Sequence, residues 1–197
     1  MTLPNRALAL AFALALFGPV AAAQAAPAKN EIDPEHLSIS FTAMHMGWAR
    51  VAGMFLEAGG SFVFDDEALA LSEVRIEVVT KSVFSNHKRR DRHLRSPDFL
   101  NSREFPKMVF AGTSTERTGE RAGILHGELT LIGEVRPLLL EIVWNKAGAY
   151  ELGGPDRVGI SARGRFLRSD FGMVYGVSNN LVGDEIEIVI EFEAIKQ

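Results

Sequence analysis

The chain has 197 residues and a formal net charge of −4 at pH 7. This length fits one domain with a sizeable core, and the acidic balance argues against long-range attraction to nucleic acid. The composition is that of a globular protein, with 47% hydrophobic and 23% charged residues and no cysteine. Cysteine catalysis, disulfide bonds and lipid attachment through a cysteine are therefore excluded.

The first 25 residues have the pattern of a secretory signal. Arg6 precedes an apolar run over residues 7–17, and small residues with an A-x-A pattern follow, ending at Ala25. The apolar run is shorter than the roughly 20 residues that a membrane-spanning helix needs. We predict cleavage near Ala25, export to the periplasm and a mature domain over residues 30–197. A retained N-terminal anchor is the alternative.

Apolar and polar residues alternate with a period of two from Leu37 onward. Within residues 185–193, four apolar side chains share one face and four glutamates share the other, as in a strand with one wet face. About eight strands of this kind predict an all-β barrel or sandwich with antiparallel connections. Besides residues 185–193, the predicted strands cover residues 37–42, 51–64 (interrupted at Gly59 and Gly60), 74–78, 107–116, 123–132, 135–145 and 157–168.

The one helical pattern is the basic stretch HKRRDRHLRS at residues 87–96. Asn86 can cap this helix, and Asp91 can pair with Arg95 four residues later. In one interpretation the stretch is a scaffold, in which Asp91 neutralises the guanidinium groups while Arg90 and His93 bind backbone carbonyls. In the other, its arginines lie at the mouth of a barrel and bind a phosphate or carboxylate head group. Nucleic-acid binding is not expected, because no stacking aromatics are interleaved with the basic residues.

Common catalytic motifs are missing from the sequence. It contains no Walker A loop, no dinucleotide-binding G-x-G-x-x-G after a strand and no G-x-S-x-G nucleophile elbow. None of the five histidines belongs to an H-E-x-x-H motif. We therefore predict neither a metal nor a cofactor, with a metal site assembled from distant strands as the open alternative.

Four motifs occur in a fixed order along the chain. They are D-x-x-H followed by H-x-x-x-x-x-V-x-G-x-F, then R-D-x-H-L with D-F and Pro, then G-x-L-T-x-x-G with Pro, and finally R-x-D-F-G. Together they resemble the YceI family of exported, lipocalin-like polyisoprenoid-binding proteins over residues 33–194. The matching residues are Asp33, His36, His45, Val51, Gly53, Phe55, Arg90, Asp91, His93, Leu94, Asp98, Phe99, Pro106, Gly127, Leu129, Thr130, Gly133, Pro137, Arg168, Asp170, Phe171 and Gly172.

The resemblance implies an extended, eight-stranded, antiparallel, lipocalin-like β-barrel with a short helical insertion. Its interior would hold a long-chain amphiphile without a metal or a covalent step: a polyisoprenoid, an isoprenoid quinone-like molecule or a fatty acyl chain. We therefore expect a periplasmic binding or carrier protein rather than an enzyme. The expected partner is this lipid and no nucleic acid, with a transient contact to the inner membrane or a membrane protein, and a homodimer, as open possibilities.

Two other functions remain open at this point. One is an envelope enzyme that acts on a bound lipid, with His45 or His93 as general acid or base and His93 oriented by Asp91. The other is a stress or interaction protein whose cavity is incidental.

The expected ligand site has an apolar and a polar part. His45, Arg90, Asp91 and His93 form the polar part, with a structural role first and head-group binding second. Trp48 could be a lid, a lining residue or core. The expected apolar lining consists of Leu37, Ile39, Phe41, Phe62, Phe64, Met108, Phe110, Ile186, Ile188, Ile190 and Phe192.

Overall fold

A computed structural model describes residues 26–197 of the chain, so the predicted signal peptide at residues 1–25 lies outside the described residues. Within them there is one α-helix, α1 (Lys88–Leu94), and two short 3-10 turns, Thr80–Ser82 and Arg168–Phe171. All other regular structure is strand. The strands are β1 (Ala28–His45), β2 (Ala49–Phe55), β3 (Ala58–Asp65), β4 (Ala70–Val79), β5 (Val83–Phe84), β6 (Lys107–Arg117), β7 (Ala122–Leu131), β8 (Glu134–Gly148), β9 (Arg157–Leu167) and β10 (Val182–Lys196).

Eight of these strands close into an antiparallel barrel, which confirms the predicted fold class. The ring runs β1, β3, β4, β6, β7, β8, β9, β10 and back to β1. The long strand β1 closes it, because one edge pairs with β10 along its length while the other pairs first with β3 and then with β2. β5 pairs with the end of β2 and extends the wall there.

The period-two pattern places the apolar residues inside the barrel. On β10, Ile188, Ile190 and Phe192 are buried, while the intervening Glu191 is exposed. Burying apolar surface is the main driving force for closing such a sheet. The ring therefore encloses one continuous hydrophobic core, drawn from all eight strands.

The interruption predicted within residues 51–64 was placed wrongly. β2 ends at Phe55 and β3 begins at Ala58, so the chain turns at residues 56–57 and not at the glycine pair. Gly60 lies inside β3, where an added Cβ would be 2.2 Å from the carbonyl oxygen of Arg75. This glycine permits a close approach of two strands, and that is a use of glycine that local sequence does not distinguish from a turn.

The barrel has two ends, which we name the mouth end and the base end. At the mouth end, His45 of β1 pairs with Val182 of β10. At the base end, Asn30 pairs with Lys196, and Arg157 of β9 pairs with Ile195. No helix within residues 26–197 combines the length and the apolar character needed to cross a bilayer.

Candidate functional site

An apolar cavity of about 100 Å³ lies inside the barrel towards the mouth end. Its walls come from the inward faces of several strands, from the end of α1, from the loop after that helix and from the turn that begins at Arg168. Arg168 is the one charged residue among them. The lining residues are Phe41, Ala43, Phe55, Leu94, Phe99, Leu100, Met108, Leu129, Leu131, Phe166, Arg168, Met173, Val182, Ile186 and Ile188.

A cleft of about 560 Å³ lies above this cavity at the mouth end. Cavity and cleft share Phe41, Ala43, Leu94, Phe99 and Val182, so the two spaces adjoin at these residues, which we name the neck. Ligand pockets in proteins typically measure 300–1,000 Å³. The cleft is in that range by itself, and the cavity gives it an apolar extension into the barrel.

The walls of the cleft are more polar than those of the cavity. Arg89 and Arg90 of α1 line it on one side, and His45 at the end of β1 lines it on another. His87 and His93 also face it. The arrangement places cationic and hydrogen-bonding groups at the outer end of an apolar channel, which suits a molecule with an apolar chain and an anionic or polar head.

The rest of the barrel interior is filled by side chains. A remaining space of only about 10 Å³ is lined by Phe62, Ile190 and Phe192, among others. The rings of Phe62 and Phe192 are 5.8 Å apart in an edge-to-face arrangement. A chain that enters from the mouth end therefore meets a packed core about halfway down the barrel.

The predicted lining residues therefore divide into four groups. Phe41, Met108, Ile186 and Ile188 line the cavity, while Phe62, Ile190 and Phe192 lie in the packed part. Ile39, Phe64 and Phe110 are buried in the core without lining the cavity, and Leu37 packs partly buried against that core while it borders a separate pocket. Periodicity indicates which face points inwards, but how far the interior is filled depends on which side chains meet across the barrel. Contact of any of them with a ligand stays a prediction.

Arg90 and Asp91 fasten α1 to the barrel through one residue, Ser85. The Asp91 carboxylate accepts hydrogen bonds from the backbone N–H of Ser85 at 2.8 Å and from its hydroxyl at 2.5 Å. Arg90 donates from Nε to the Ser85 hydroxyl at 2.8 Å and from an Nη to the Ser85 carbonyl at 2.5 Å. Burial raises the pKa of Asp91, but the two hydrogen bonds from Ser85 and the charges of Arg95 and Arg90 together outweigh it and leave the pKa below its ordinary value.

Several details predicted for the basic stretch were wrong. His87, not Asn86, caps α1, because its side chain accepts a hydrogen bond from the Arg90 N–H. Within residues 26–197, Asp91 and Arg95 form no ion pair within 4.0 Å. Arg95 instead donates to the carbonyls of Lys81 at 2.7 Å and Val83 at 2.6 Å.

His93 does not bind a backbone carbonyl and is not oriented by Asp91. Its Nε2 lies 2.8 Å from a carboxylate oxygen of Asp98, and its ring packs edge-on against Phe99 and Tyr175. Asp91 is engaged with Ser85 instead. The His93–Asp91 pair, one form of the enzymatic alternative, is therefore not formed, and the form that uses His45 stays untested.

Arg168 is a site residue that the sequence analysis recorded only as part of a motif. It is 1% exposed, and its guanidinium donates hydrogen bonds to four carbonyl oxygens and to no carboxylate. Burial lowers the pKa of Arg168, with the carboxylate of Asp184 opposing that shift. The signal was present in the R-x-D-F-G motif, but nothing in the local sequence shows that its arginine points inwards.

The four carbonyls belong to the segment at residues 172–183, which we name the cap segment. Arg168 contacts the oxygens of Met173, Tyr175, Val182 and Gly183 at 2.5–2.9 Å. Met173 and Val182 line the cavity, and Tyr175 lines the cleft. A buried cation thus holds the segment that closes one side of the channel.

The D-x-x-H motif forms an ionic cluster at the base end, far from the cleft. Asp33 is buried and its Oδ2 lies 2.9 Å from Nδ1 of His36 and 2.7 Å from an Nη of Arg157. The same Nη is 2.8 Å from Glu193 of β10. Asp33, His36 and Glu193 could together approach one metal ion, but Arg157 already supplies the positive charge that the two carboxylates need.

This cluster predicts a dependence of stability on pH. The hydrogen bond with Asp33 raises the pKa of His36 above its ordinary value of about 6.5. Protonated His36 therefore stabilises the folded protein fully below that pH, and this stabilisation is lost as the pH rises through the raised pKa. We expect the melting temperature of the unmodified protein to fall over that interval, and His36→Gln to show a smaller fall. Thermal unfolding from about pH 5 to pH 8 measures the difference.

His126→Gln is the matched control, because His126 is a half-exposed histidine on β7 whose nearest carboxylate is 3.5 Å away. It should keep the fall seen in the unmodified protein. Equal pH profiles for the unmodified protein and His36→Gln would contradict the assignment. A separate loss of stability in acid is expected from Asp33, whose pKa is lowered chiefly by the hydrogen bond with His36.

Comparison with known proteins agrees with this architecture. A model of the YceI-like domain matches residues 31–194. Protein YceI of Escherichia coli O157:H7 is 33% identical over 190 residues, which cover 96% of this chain and 97% of that protein. Protein YceI of Salmonella agona matches with the same identity and coverage.

Solved structures show the same fold. A YCEI protein of Campylobacter jejuni superposes with a TM-score of 0.72 at 25% identity, covering 78% of this chain and 90% of its own. BcnA of Burkholderia cenocepacia gives 0.74 at 17% identity, covering 82% and 98%. A polyisoprenoid binding domain from Saccharophagus degradans gives 0.63 at 9% identity, covering 87% and 100%. The family model and the relatives that align over nearly the whole chain establish that this protein belongs to the YceI family.

Proposed function

We propose that this protein is a periplasmic carrier that holds one long-chain amphiphile, with its chain in the barrel cavity and its head group in the cleft. The observation behind the proposal is that an apolar cavity adjoins a cleft lined by Arg89 and Arg90. A polyisoprenoid or an isoprenoid quinone-like molecule is the preferred ligand, and a fatty acyl lipid is the next choice.

Transfer of an apolar chain out of water supplies the binding energy. Each buried methylene contributes about 0.8 kcal/mol, so burial of the apolar chain along the cavity, the neck and the cleft would offset the cost of ordering the ligand. The guanidinium groups of Arg89 and Arg90 then need only fix the head group, for which planar bidentate donors suit a phosphate or carboxylate. Arg90 already donates to Ser85 through two nitrogens, so Arg89 is the freer of the two for this role.

The relatives support a binding role rather than catalysis. Membership of the YceI family and the likeness to a structure described as a polyisoprenoid binding domain both favour a lipid ligand. The contacts of His93 agree with this view, since its carboxylate partner Asp98 lies on the surface of the insertion and not in the cavity.

Native mass spectrometry of the protein purified without detergent from its own host's periplasm tests the proposal. We expect a stoichiometric adduct that organic extraction releases as an isoprenoid or acyl lipid. Recovery of the protein without any lipid, together with failure to take up an added polyisoprenoid alcohol or phosphate, would overturn it. Fractionation in the same experiment tests the periplasmic location, and the mass of the polypeptide tests cleavage near Ala25.

A further inference from the structure

The mouth end carries an exposed apolar tip that neither the barrel nor the cavity uses. The turn between β1 and β2 presents Trp48, which is 85% exposed, and Met46, which is 50% exposed. Val174 of the cap segment is 63% exposed. Trp48 is therefore neither core nor lining. Exposure of a large indole to water is unfavourable, and an exposed apolar patch of this kind often marks an interaction surface.

The backbone of the turn holds this tip outwards. Met46 has φ = 51° and Gly47 has φ = 74°, and the Trp48 N–H donates to the carbonyl of His45 at 2.9 Å. A positive φ is unusual for methionine and persists only where the surrounding structure fixes it. The Met46 N–H also donates to the carbonyl of Leu181, so the tip is fastened to the segment that borders the cleft.

Cationic side chains without acidic partners lie on α1, the helix that borders the cleft at the mouth end. Lys88, Arg89 and Arg92 of α1 are exposed, and within residues 26–197 none of them forms an ion pair within 4.0 Å. Arg89 itself lines the cleft, and Lys88 and Arg92 share one face of the same helix. The patch is positive although the chain as a whole has a net charge of −4.

Nearby acidic side chains do not cancel this charge. Glu185 and Glu187 at the start of β10 lie 3.5 Å from the guanidinium of Arg50, and Glu187 also lies 3.7 Å from that of Arg165, so two cations balance these two carboxylates. Asp98 is paired with His93. The mouth end therefore combines an exposed tryptophan with unpaired cations, the combination that favours the interface of an anionic lipid bilayer.

We propose that the rim formed by Met46, Trp48, Val174, Lys88, Arg89 and Arg92 docks onto an anionic phospholipid surface, so that the cleft faces the membrane during ligand exchange. The inference rests on the proposed function, because it assigns the membrane as the place where the carried lipid enters and leaves. Docking by this rim would let an apolar chain pass from bilayer to cavity without crossing bulk water.

Vesicle binding tests the docking surface directly. The protein is purified from cells that express the full chain, and its N-terminus is determined by intact-mass spectrometry. It is then mixed with vesicles of phosphatidylethanolamine and phosphatidylglycerol. Phosphatidylcholine vesicles serve as the neutral comparison. We expect co-sedimentation with the anionic vesicles only, weakened by added salt. Trp48 emission should shift to the blue, whereas Trp144, which is 2% exposed, is already shielded.

Two variants and two matched controls locate the surface. Trp48→Ala should weaken vesicle binding about tenfold, and Lys88→Gln with Arg92→Gln about thirtyfold. Leu152→Ala removes a side chain that is 84% exposed in the loop between β8 and β9 at the base end. Arg163→Gln with Lys196→Gln removes two exposed cations of β9 and β10. Both controls should bind as the unmodified protein does.

The outcomes separate docking from ligand binding. Absence of vesicle binding, or equal losses in the rim variants and their controls, would overturn the docking proposal whatever lipid the protein contains. Binding that depends on Trp48, in a protein that holds no lipid and takes up none, would support docking and overturn the carrier function instead. Binding to neutral and anionic vesicles alike would contradict the role given to Lys88 and Arg92.

Discussion

Replacement of Arg168 by methionine is expected to lower the free energy of unfolding by about 3–5 kcal/mol. The substitution keeps a long, flexible side chain in the cavity wall but removes donors from four carbonyl oxygens of the cap segment. Each buried acceptor left without a partner costs about 1–3 kcal/mol. The substitution also removes the desolvation cost of the buried charge, which offsets part of this loss. Urea unfolding measures the loss.

Arg168→Lys should be intermediate. A lysine ammonium is shorter and carries three donors, so it cannot reproduce the planar array that reaches both Met173 and Val182. Limited proteolysis gives a second readout, because residues 174–181 should become the preferred cleavage site in Arg168→Met before global unfolding.

Arg165→Met provides the matched control at an exposed arginine of β9, three residues before Arg168. The Arg165 side chain is 63% exposed and lies 3.7 Å from Glu187, so its loss should change stability by no more than about 0.5 kcal/mol. Equal stability of Arg165→Met and Arg168→Met would show that the cap segment is held by other contacts.

Substitution of Ala43 by phenylalanine is expected to remove most of the bound ligand while the barrel stays folded. Ala43 lies at the neck, where it borders both the cleft and the cavity. Phe41 borders both spaces as well, and its ring is held there by packing against Gly53, where an added Cβ would be 2.4 Å from it. A second ring would fill the space between cleft and cavity. The cavity measures only about 100 Å³, so the barrel interior offers the ligand chain no other apolar space.

Native mass spectrometry of Ala43→Phe measures the effect. We expect the lipid-bound fraction to fall at least about tenfold, which corresponds to about 1.4 kcal/mol. Ala147→Phe is the control, because Ala147 is exposed on β8 near the base end and pairs with Val158. Full lipid occupancy in folded Ala43→Phe would show that the ligand does not pass through this neck.

Much of the fold could be predicted from the sequence because strand faces are encoded locally. Alternation along residues 185–193 places Ile188 and Ile190 on the inner face of β10 whatever the neighbouring strands are. The four ordered motifs likewise identified the family, which the aligned relatives confirm. The basic stretch stood out as a helix between strands, and α1 lies there.

The candidate site depended on contacts between distant residues. Arg168 contacts carbonyls up to 15 residues away, and Arg157 contacts Asp33 across 124 residues of sequence. No local pattern distinguishes such a buried arginine from an exposed one such as Arg165. Burial requires that several backbone carbonyls converge on one guanidinium, and that convergence exists only in the folded barrel.

The sequence by itself therefore determined the family, with the antiparallel barrel that the family implies, and the alternation of apolar and polar faces along strands such as β10, because a period of two and short motifs are properties of neighbouring residues. Only the tertiary structure decided that the cavity occupies the mouth half, that Phe62 and Phe192 fill the other half, and that Trp48 stands in solvent. These features depend on which side chains meet across the barrel and on how a turn is oriented, and both are set by the closure of the sheet.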